Sequence, residues 1–176
     1  MKTDNNWCVI TGAPSSGKTT TLNALKKKGY KVFYEWARIY IDREMKKGKT
    51  LKQIRKNELS FQRKILKLKI DFEKKLSKKD LVFIERGIPD STAYMEMCGV
   101  AEDKSLKKAV ENCYYKKVFL LDLIKYELDY ARTESQEEAM LIDDLLEKSY
   151  TDFGMKVIRV PKMSVSKRVK FILENL

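Results

Sequence analysis

The chain has 176 residues, of which 43% are apolar and 35% charged, and it contains no histidine. This length fits one domain with a continuous core, and the composition excludes a disordered chain. Without histidine, Ser-His and Cys-His nucleophilic catalysis are excluded, so a general base must be a carboxylate or a lysine. The three cysteines form no Cys-x-x-Cys pair, and the sequence predicts neither a zinc site nor a disulfide framework.

No apolar run approaches the ~20 residues that span a bilayer, and residues 1–6 lack the apolar stretch of a signal peptide. We therefore expect a cytoplasmic protein that does not bind membranes. The formal net charge of +12 would suit a nucleic-acid partner. Because the basic residues are mostly lysines scattered over predicted helix faces, charge is the only feature that supports such a partner.

Short apolar runs and segments with helical spacing of apolar residues alternate along the chain. In chain order they predict a strand over 7–11, a helix over 18–28, a strand over 31–34, helices over 36–47 and 50–76, a strand over 81–84, helices over 90–97 and 103–113, a strand over 118–121, a helix over 137–152, a strand over 157–160 and a helix over 164–173. Such strands indicate a parallel sheet covered on both faces. No linker or repeat divides the chain, so we expect one α/β domain over residues 1–176.

A phosphate-binding loop is predicted between the first strand and the first helix. The residues that form the Gly-x-x-x-x-Gly-Lys-Thr pattern are Gly12, Ala13, Pro14, Ser15, Ser16, Gly17, Lys18 and Thr19. The glycines allow backbone N–H groups to point at phosphate oxygens, and the following helix adds its positive dipole end. Lys18 should reach the β- and γ-phosphates, Thr19 should ligate Mg²⁺, and Thr20 is a further phosphate contact. We therefore expect the chain to bind ATP with Mg²⁺.

Charged residues follow three of the other four strands, where ligand groups of open parallel sheets gather. Glu35 is either a base that accepts a proton from an acceptor hydroxyl or a helix-start carboxylate paired with Arg38. Glu85 is predicted to serve the metal, with Arg86 binding the reacting end of the substrate or the transferring phosphoryl group. A structural salt bridge is the alternative for this pair. Asp122 competes with Glu85 for the metal role.

Residues 125–136 form a polar segment that carries Arg132. A segment of this kind suits a lid that closes over phosphates and excludes water, and the alternative is a solvated helix end. Farther back in the chain, the helices over 36–76 would wall an acceptor pocket. Trp36 and Tyr40 are candidates there for stacking on the acceptor or for packing in the core.

Four stretches, in this order and spacing, resemble a P-loop kinase-like family. It includes the ribosylnicotinamide kinase domain of bifunctional NAD-biosynthesis regulators and is often described as predicted AAA-type ATPases. The stretches span residues 11–20, 34–38 (Tyr-Glu-Trp-Ala-Arg), 84–94 and 129–134. Glu85-Arg86 is also similar to the Glu-Arg-Ser motif of deoxynucleoside kinases, although the first family usually has Asp-Arg there.

The resemblance implies a three-layer fold with a five-stranded parallel sheet of order 2-3-1-4-5. It also implies that Glu35 acts as the base and Arg132 as a lid residue. We expect an ATP-dependent phosphotransferase that acts on a hydroxyl of a small nucleoside-like substrate. The alternatives are a nucleotide-switched regulatory ATPase and a kinase acting on nucleic-acid ends.

Overall fold

Strands and helices alternate in the computed structural model, which describes residues 5–100, 103–124 and 135–176. The elements are β1 (Trp7–Thr11), α1 (Lys18–Lys27), β2 (Lys31–Phe33), α2 (Trp36–Met45), α3 (Leu51–Ile54), α4 (Glu58–Glu73), β3 (Val82–Glu85), α5 (Asp90–Met97), α6 (Lys104–Asn112), β4 (Lys117–Leu121), α7 (Gln136–Thr151), β5 (Val157–Val160) and α8 (Val165–Glu174). None of the helices within these described ranges is long and apolar enough to cross a membrane.

The five strands form one parallel sheet in the order β2-β3-β1-β4-β5, which confirms the predicted order. Val9 in the central strand is opposite Ile84 on one side and Val118 on the other. Since the strands are parallel, the segments that follow β1, β2, β3 and β4 meet at one edge of the sheet. This edge holds the loop after β1 and the charged residues that the sequence places after the other strands.

Alternate strand residues build a core on each face of the sheet. Val9, Ile84 and Val118 face a core that α4, α5, α6 and α7 cover. Ile10 and Phe83 face the opposite core, which α1 and α8 cover. The sheet therefore lies between two helical layers, as predicted, and its interior strands consist mostly of apolar residues because both faces are buried.

The predicted helix over 50–76 is wrong in one respect, because the structure contains two helices there. Thr50 caps α3 with a reciprocal capping box to Gln53, and the Asn57 side chain accepts the Ser60 N–H to start α4. The Asn57 cap satisfies an N–H group that a continuous helix would bond internally, whereas the Thr50 cap stands where the predicted helix also begins. Apolar spacing continues across the break, so it does not reveal the interruption. The other predicted boundaries differ from the observed ones by one or two residues where they differ at all.

Candidate active site

The loop between β1 and α1 has a backbone that requires small residues. Gly12 and Gly17 have positive φ angles of 143° and 82°, and Ser15 adopts the left-handed conformation at 67°. A Cβ on Gly12 would lie 2.5 Å from the Leu121 carbonyl oxygen, and one on Gly17 would lie 2.7 Å from the Arg168 guanidinium. Glycine is therefore required at both positions by conformation and by space.

Arg168, on α8, holds this loop through a hydrogen bond to its backbone. The sequence analysis did not predict this residue. Its buried guanidinium donates to the Ser16 carbonyl oxygen at 2.8 Å. The Ser16 N–H in turn donates to the Ala13 carbonyl oxygen at 3.3 Å, and this hydrogen bond closes the turn that contains Pro14 and Ser15. The loop geometry thus depends on a contact with a helix residue that lies 152 residues further along the chain.

The Lys18 ammonium lies across the loop and is only 7% exposed. Its Nζ donates to the carbonyl oxygens of Gly12 at 3.0 Å and Ala13 at 2.9 Å. Burial, reinforced by the neighbouring Arg86 cation, lowers the pKa of Lys18 to about 7. An anion bound in the loop would favour the charged form of this lysine, so the site is arranged for a polyanion such as a triphosphate.

Thr19 and Glu85 are adjacent, with the threonine Oγ1 donating to the Glu85 Oε1 at 2.9 Å. Burial and the nearby Glu35 carboxylate raise the pKa of Glu85 above its ordinary value. A hydroxyl beside a buried carboxylate is an oxygen donor pair that fits Mg²⁺, which proteins bind through few side chains plus substrate phosphates and water. No cluster of three or more His, Cys, Asp or Glu side chains that could hold a metal ion occurs among the residues that the structure describes.

Arg86 joins the carboxylates of two elements at the end of β3. Its Nε lies 2.9 Å from the Glu35 Oε1, and its Nη1 lies 3.1 Å from the Asp90 Oδ1. The guanidinium also packs over the Tyr94 ring, with its carbon 5.1 Å from the ring centroid. Asp90 is completely buried and was not predicted as a site residue. Sequence spacing contained a signal for it, because Arg86 and Asp90 are four residues apart.

Glu35, which precedes α2, makes no side-chain cap hydrogen bond to that helix. The Arg38 cation is nevertheless close enough to help lower the pKa of Glu35, so the alternative of a helix-start carboxylate paired with Arg38 stays open. Burial alone would raise the pKa of Glu35, but the Arg86 and Lys18 cations outweigh it and lower the pKa below its ordinary value. The carboxylate is ionised at neutral pH and lies beside the charged groups of the loop.

These groups open onto a single cavity of about 350 Å³. One end is lined by the phosphate loop, including Pro14, Ser15, Thr19 and Thr20. The other end is lined by side chains of α2, α3–α4 and α5, namely Ala37, Arg38, Ile41, Arg55, Phe61, Gln62, Ile65, Lys69 and Tyr94. The cavity therefore joins a polyanion site to a compartment with both apolar and polar walls.

Lys69 is a cavity residue that the sequence analysis missed. It is 4% exposed, and its Nζ donates to the Gly87 carbonyl oxygen at 2.9 Å. Burial lowers the pKa of Lys69. A signal was present, since Lys69 lies four residues after Ile65 on the buried stripe of α4, where a lysine is unusual.

Three residues that the sequence analysis considered for the site, Asp122, Trp36 and Tyr40, do not line this cavity. Asp122 ends β4, but its Oδ1 pairs with Arg159 on β5 at 3.3 Å. Trp36 packs against Phe72 with ring centroids 5.2 Å apart, and Tyr40 packs against Phe61 at 6.0 Å, so both take the core-packing alternative. Arg132 and the proposed lid up to residue 134 lie outside the described residues.

Comparison with known proteins identifies relatives of this fold. A family model for an AAA domain matches residues 7–168. The structure of deoxyadenosine kinase from M. mycoides with bound dCTP matches with a TM-score of 0.65 and 14% identity over 96% of this chain and 97% of that chain. Thymidylate kinase from Ehrlichia chaffeensis matches with a TM-score of 0.61 and 13% identity, over 98% and 99% of the two chains. A search of curated proteins found no match.

The NadR protein in complex with NR matches with a TM-score of 0.69 and 14% identity, over 97% of this chain but 49% of that one. This chain thus spans about half the length of NadR. At these identities the structural matches establish a shared fold, while the family model covers most of the sequence. The chain belongs to this AAA domain family, and its fold is that of the P-loop kinases.

Proposed function

We propose that this chain transfers the γ-phosphate of ATP to a hydroxyl of a small nucleoside-like acceptor. The observation that carries the proposal is the placement of Glu35, paired with Arg86 at 2.9 Å, on the same cavity as Lys18 and Thr19. A pure nucleotide switch needs no ionised carboxylate facing an acceptor compartment. A phosphotransferase needs one near the hydroxyl that attacks the phosphorus atom.

Each group has a role in the transfer. The loop backbone and Lys18 hold the triphosphate, and Mg²⁺, held by Thr19 and Glu85, would neutralise charge on the phosphate oxygens. Glu35 orients the acceptor hydroxyl and accepts its proton. Its lowered pKa makes it a weak base, which suffices because phosphoryl transfer proceeds through a loose transition state that needs little proton removal. Arg86 stabilises the charge that develops on the transferring group. Arg132 remains a proposed lid residue.

The acceptor compartment favours a nucleoside-like molecule. The whole cavity, with the phosphate-loop end included, measures about 350 Å³, so the acceptor compartment is small. Phe61 supplies an aromatic wall, and the buried Gln62 side chain, which donates to Glu58 at 2.8 Å, supplies an amide that can both donate and accept. The similar structures of deoxyadenosine kinase and thymidylate kinase are consistent with this class. A cytoplasmic location is part of the proposal.

The test is a screen of nucleosides, beginning with deoxyadenosine, for stimulation of ATP turnover in the presence of Mg²⁺. We expect at least one nucleoside to stimulate turnover and to be converted to its monophosphate, and Lys18→Ala to abolish both. Turnover that no nucleoside stimulates would instead indicate the nucleotide-switched regulatory ATPase. Stimulation by oligonucleotides that falls steeply with salt would indicate the kinase of nucleic-acid ends, for which the net charge of +12 is the only support.

A further inference from the structure

Arg86 is held in an unusual backbone conformation. Its φ angle of 64° places it in the left-handed region, which side chains with a Cβ rarely adopt. Its N–H still pairs with the Ile10 carbonyl oxygen at 3.1 Å, so the chain leaves the sheet directly after this residue. A conformation of this kind persists only where surrounding contacts fix it.

Tyr150, on α7, supplies two of these contacts through one hydroxyl group. The hydroxyl accepts the Gly87 N–H at 3.1 Å and donates to the Asp90 Oδ2. The other oxygen of Asp90, Oδ1, accepts hydrogen bonds from the Arg86 Nη1 at 3.1 Å and from the Thr11 hydroxyl at 2.6 Å. Tyr150 therefore touches both the backbone beside Arg86 and the carboxylate that binds its guanidinium.

Gly87 shows how closely this contact is fitted. A Cβ on Gly87 would lie 2.8 Å from the Tyr150 hydroxyl oxygen and equally close to the Tyr115 ring. Tyr150 is fully buried, so water cannot easily replace its hydroxyl. Removing the hydroxyl would leave the Gly87 N–H and one oxygen of Asp90 without this partner.

Tyr115 offers a natural comparison. Its hydroxyl is also buried, accepts the next N–H along the chain, that of Ile88, at 2.8 Å, and donates to a carboxylate, the Glu73 Oε1, at 2.6 Å. These hydrogen bonds go to Glu73 rather than to Asp90. Two tyrosine hydroxyls thus make the same kinds of contact, and only that of Tyr150 bonds to the carboxylate that holds the Arg86 guanidinium.

We propose that Tyr150 is a positioning residue for phosphoryl transfer, which orients the Arg86 guanidinium toward Glu35 through Asp90 and the Gly87 N–H. This inference rests on the proposed function. Tyr150 does not touch the reacting groups; it acts by fixing Arg86 before the substrate binds. Preorganisation of this kind matters because a displacement of ~1 Å can cost about 100-fold in rate.

The test compares Tyr150→Phe with Tyr115→Phe. Both variants should lower the urea midpoint by similar amounts, since each loses one buried hydroxyl with equivalent partners. Tyr150→Phe should lower kcat by about 10- to 100-fold with little change in the KM for ATP. Tyr115→Phe should keep kcat within a few-fold of wild type. Equal kcat values in the two variants would overturn the proposal.

A second readout does not depend on turnover. The Nε–H resonance of Arg86, assigned with Arg86→Lys, should shift and broaden in Tyr150→Phe and stay unchanged in Tyr115→Phe. An unchanged resonance in Tyr150→Phe would refute the positioning role. If the resonance responds but wild type phosphorylates no nucleoside, the kinase assignment fails while Tyr150 still positions Arg86. Should Tyr150→Phe not fold, Asp90→Asn should alter the same resonance and kcat, and its failure to do so would also overturn the proposal.

Discussion

The Lys18 ammonium is buried beside the carbonyl oxygens of the loop and near the Arg86 cation. Keeping it charged in this place lowers the free energy of unfolding. Its pKa falls from an ordinary 10.5 to about 7, so below pH 7 the folded state carries a charge that the unfolded state accommodates more easily. The unfolded chain binds more protons between these two values. The stability of the nucleotide-free protein should therefore rise with pH across that interval.

Lys18→Met isolates this contribution. The variant should be more stable than wild type at about pH 6, and the difference should shrink as pH rises from 7 toward 10.5. Urea unfolding of both proteins across this range measures the difference. A gap that is constant with pH would contradict the lowered pKa. The same variant should lose ATP binding, because it lacks the ammonium that contacts the phosphates.

Glu85 and Asp122 both end apolar strands, yet the structure gives them different neighbours. Glu85 accepts from Thr19 at 2.9 Å, whereas Asp122 pairs with Arg159 at 3.3 Å. We expect Glu85→Gln to raise the Mg²⁺ concentration for half-maximal activity by about 10-fold or more. Asp122→Asn should change it little. Titration of activity with Mg²⁺ decides between them, and the reverse order would assign the metal to Asp122.

At the scale of elements, the turn from β1 into α1 depends on the end of β4. Gly12 has a φ of 143°, and an added Cβ would lie 2.5 Å from the Leu121 carbonyl oxygen. Gly29, which follows α1, has a φ of 91° with nothing within 4 Å of such a Cβ. Both glycines have a positive φ, and of the two only Gly12 would add a collision with a neighbouring strand.

Gly29→Ala should cost about 1–2 kcal/mol of unfolding free energy from strain alone. Gly12→Ala should cost a further ~1–3 kcal/mol, because the Leu121 carbonyl is backbone and cannot move aside cheaply. Urea midpoints with unchanged m-values would measure both effects. Equal losses in the two variants would show that β4 does not constrain the loop.

Local patterns predicted the elements better than they predicted the contacts between them. The strands, the phosphate loop and the order of the sheet followed from apolar runs, one motif and a family resemblance. The break before α4 did not, because Asn57 caps a new helix without interrupting the apolar spacing. Lys69 and Arg168 were missed for a related reason. The role of a buried cation on an apolar helix face depends on its hydrogen-bond partners, and here those partners are distant in sequence.

At the scale of the whole molecule, sheet order explains why the site residues meet. β3 lies between β2 and β1, so Glu35 after β2, Arg86 after β3 and Lys18 after β1 converge at one edge. An order that placed β4 or β5 among these three strands would separate at least two of these groups. The roles of Arg86 and Glu35 were predicted separately, but their direct pairing became visible only through this arrangement.

The central claim is that this edge of the sheet transfers a phosphoryl group to a nucleoside-like hydroxyl with Glu35 as the base. The most direct measurement follows γ-labelled phosphate from ATP to the stimulating nucleoside, for wild type, Glu35→Gln and the exposed control Glu96→Gln. Wild type and the control should form labelled nucleoside monophosphate at similar rates. Glu35→Gln should transfer about 100-fold more slowly while ATP affinity stays within a few-fold. Transfer by Glu35→Gln at the wild-type rate, or no labelled nucleoside from wild type, would contradict the account.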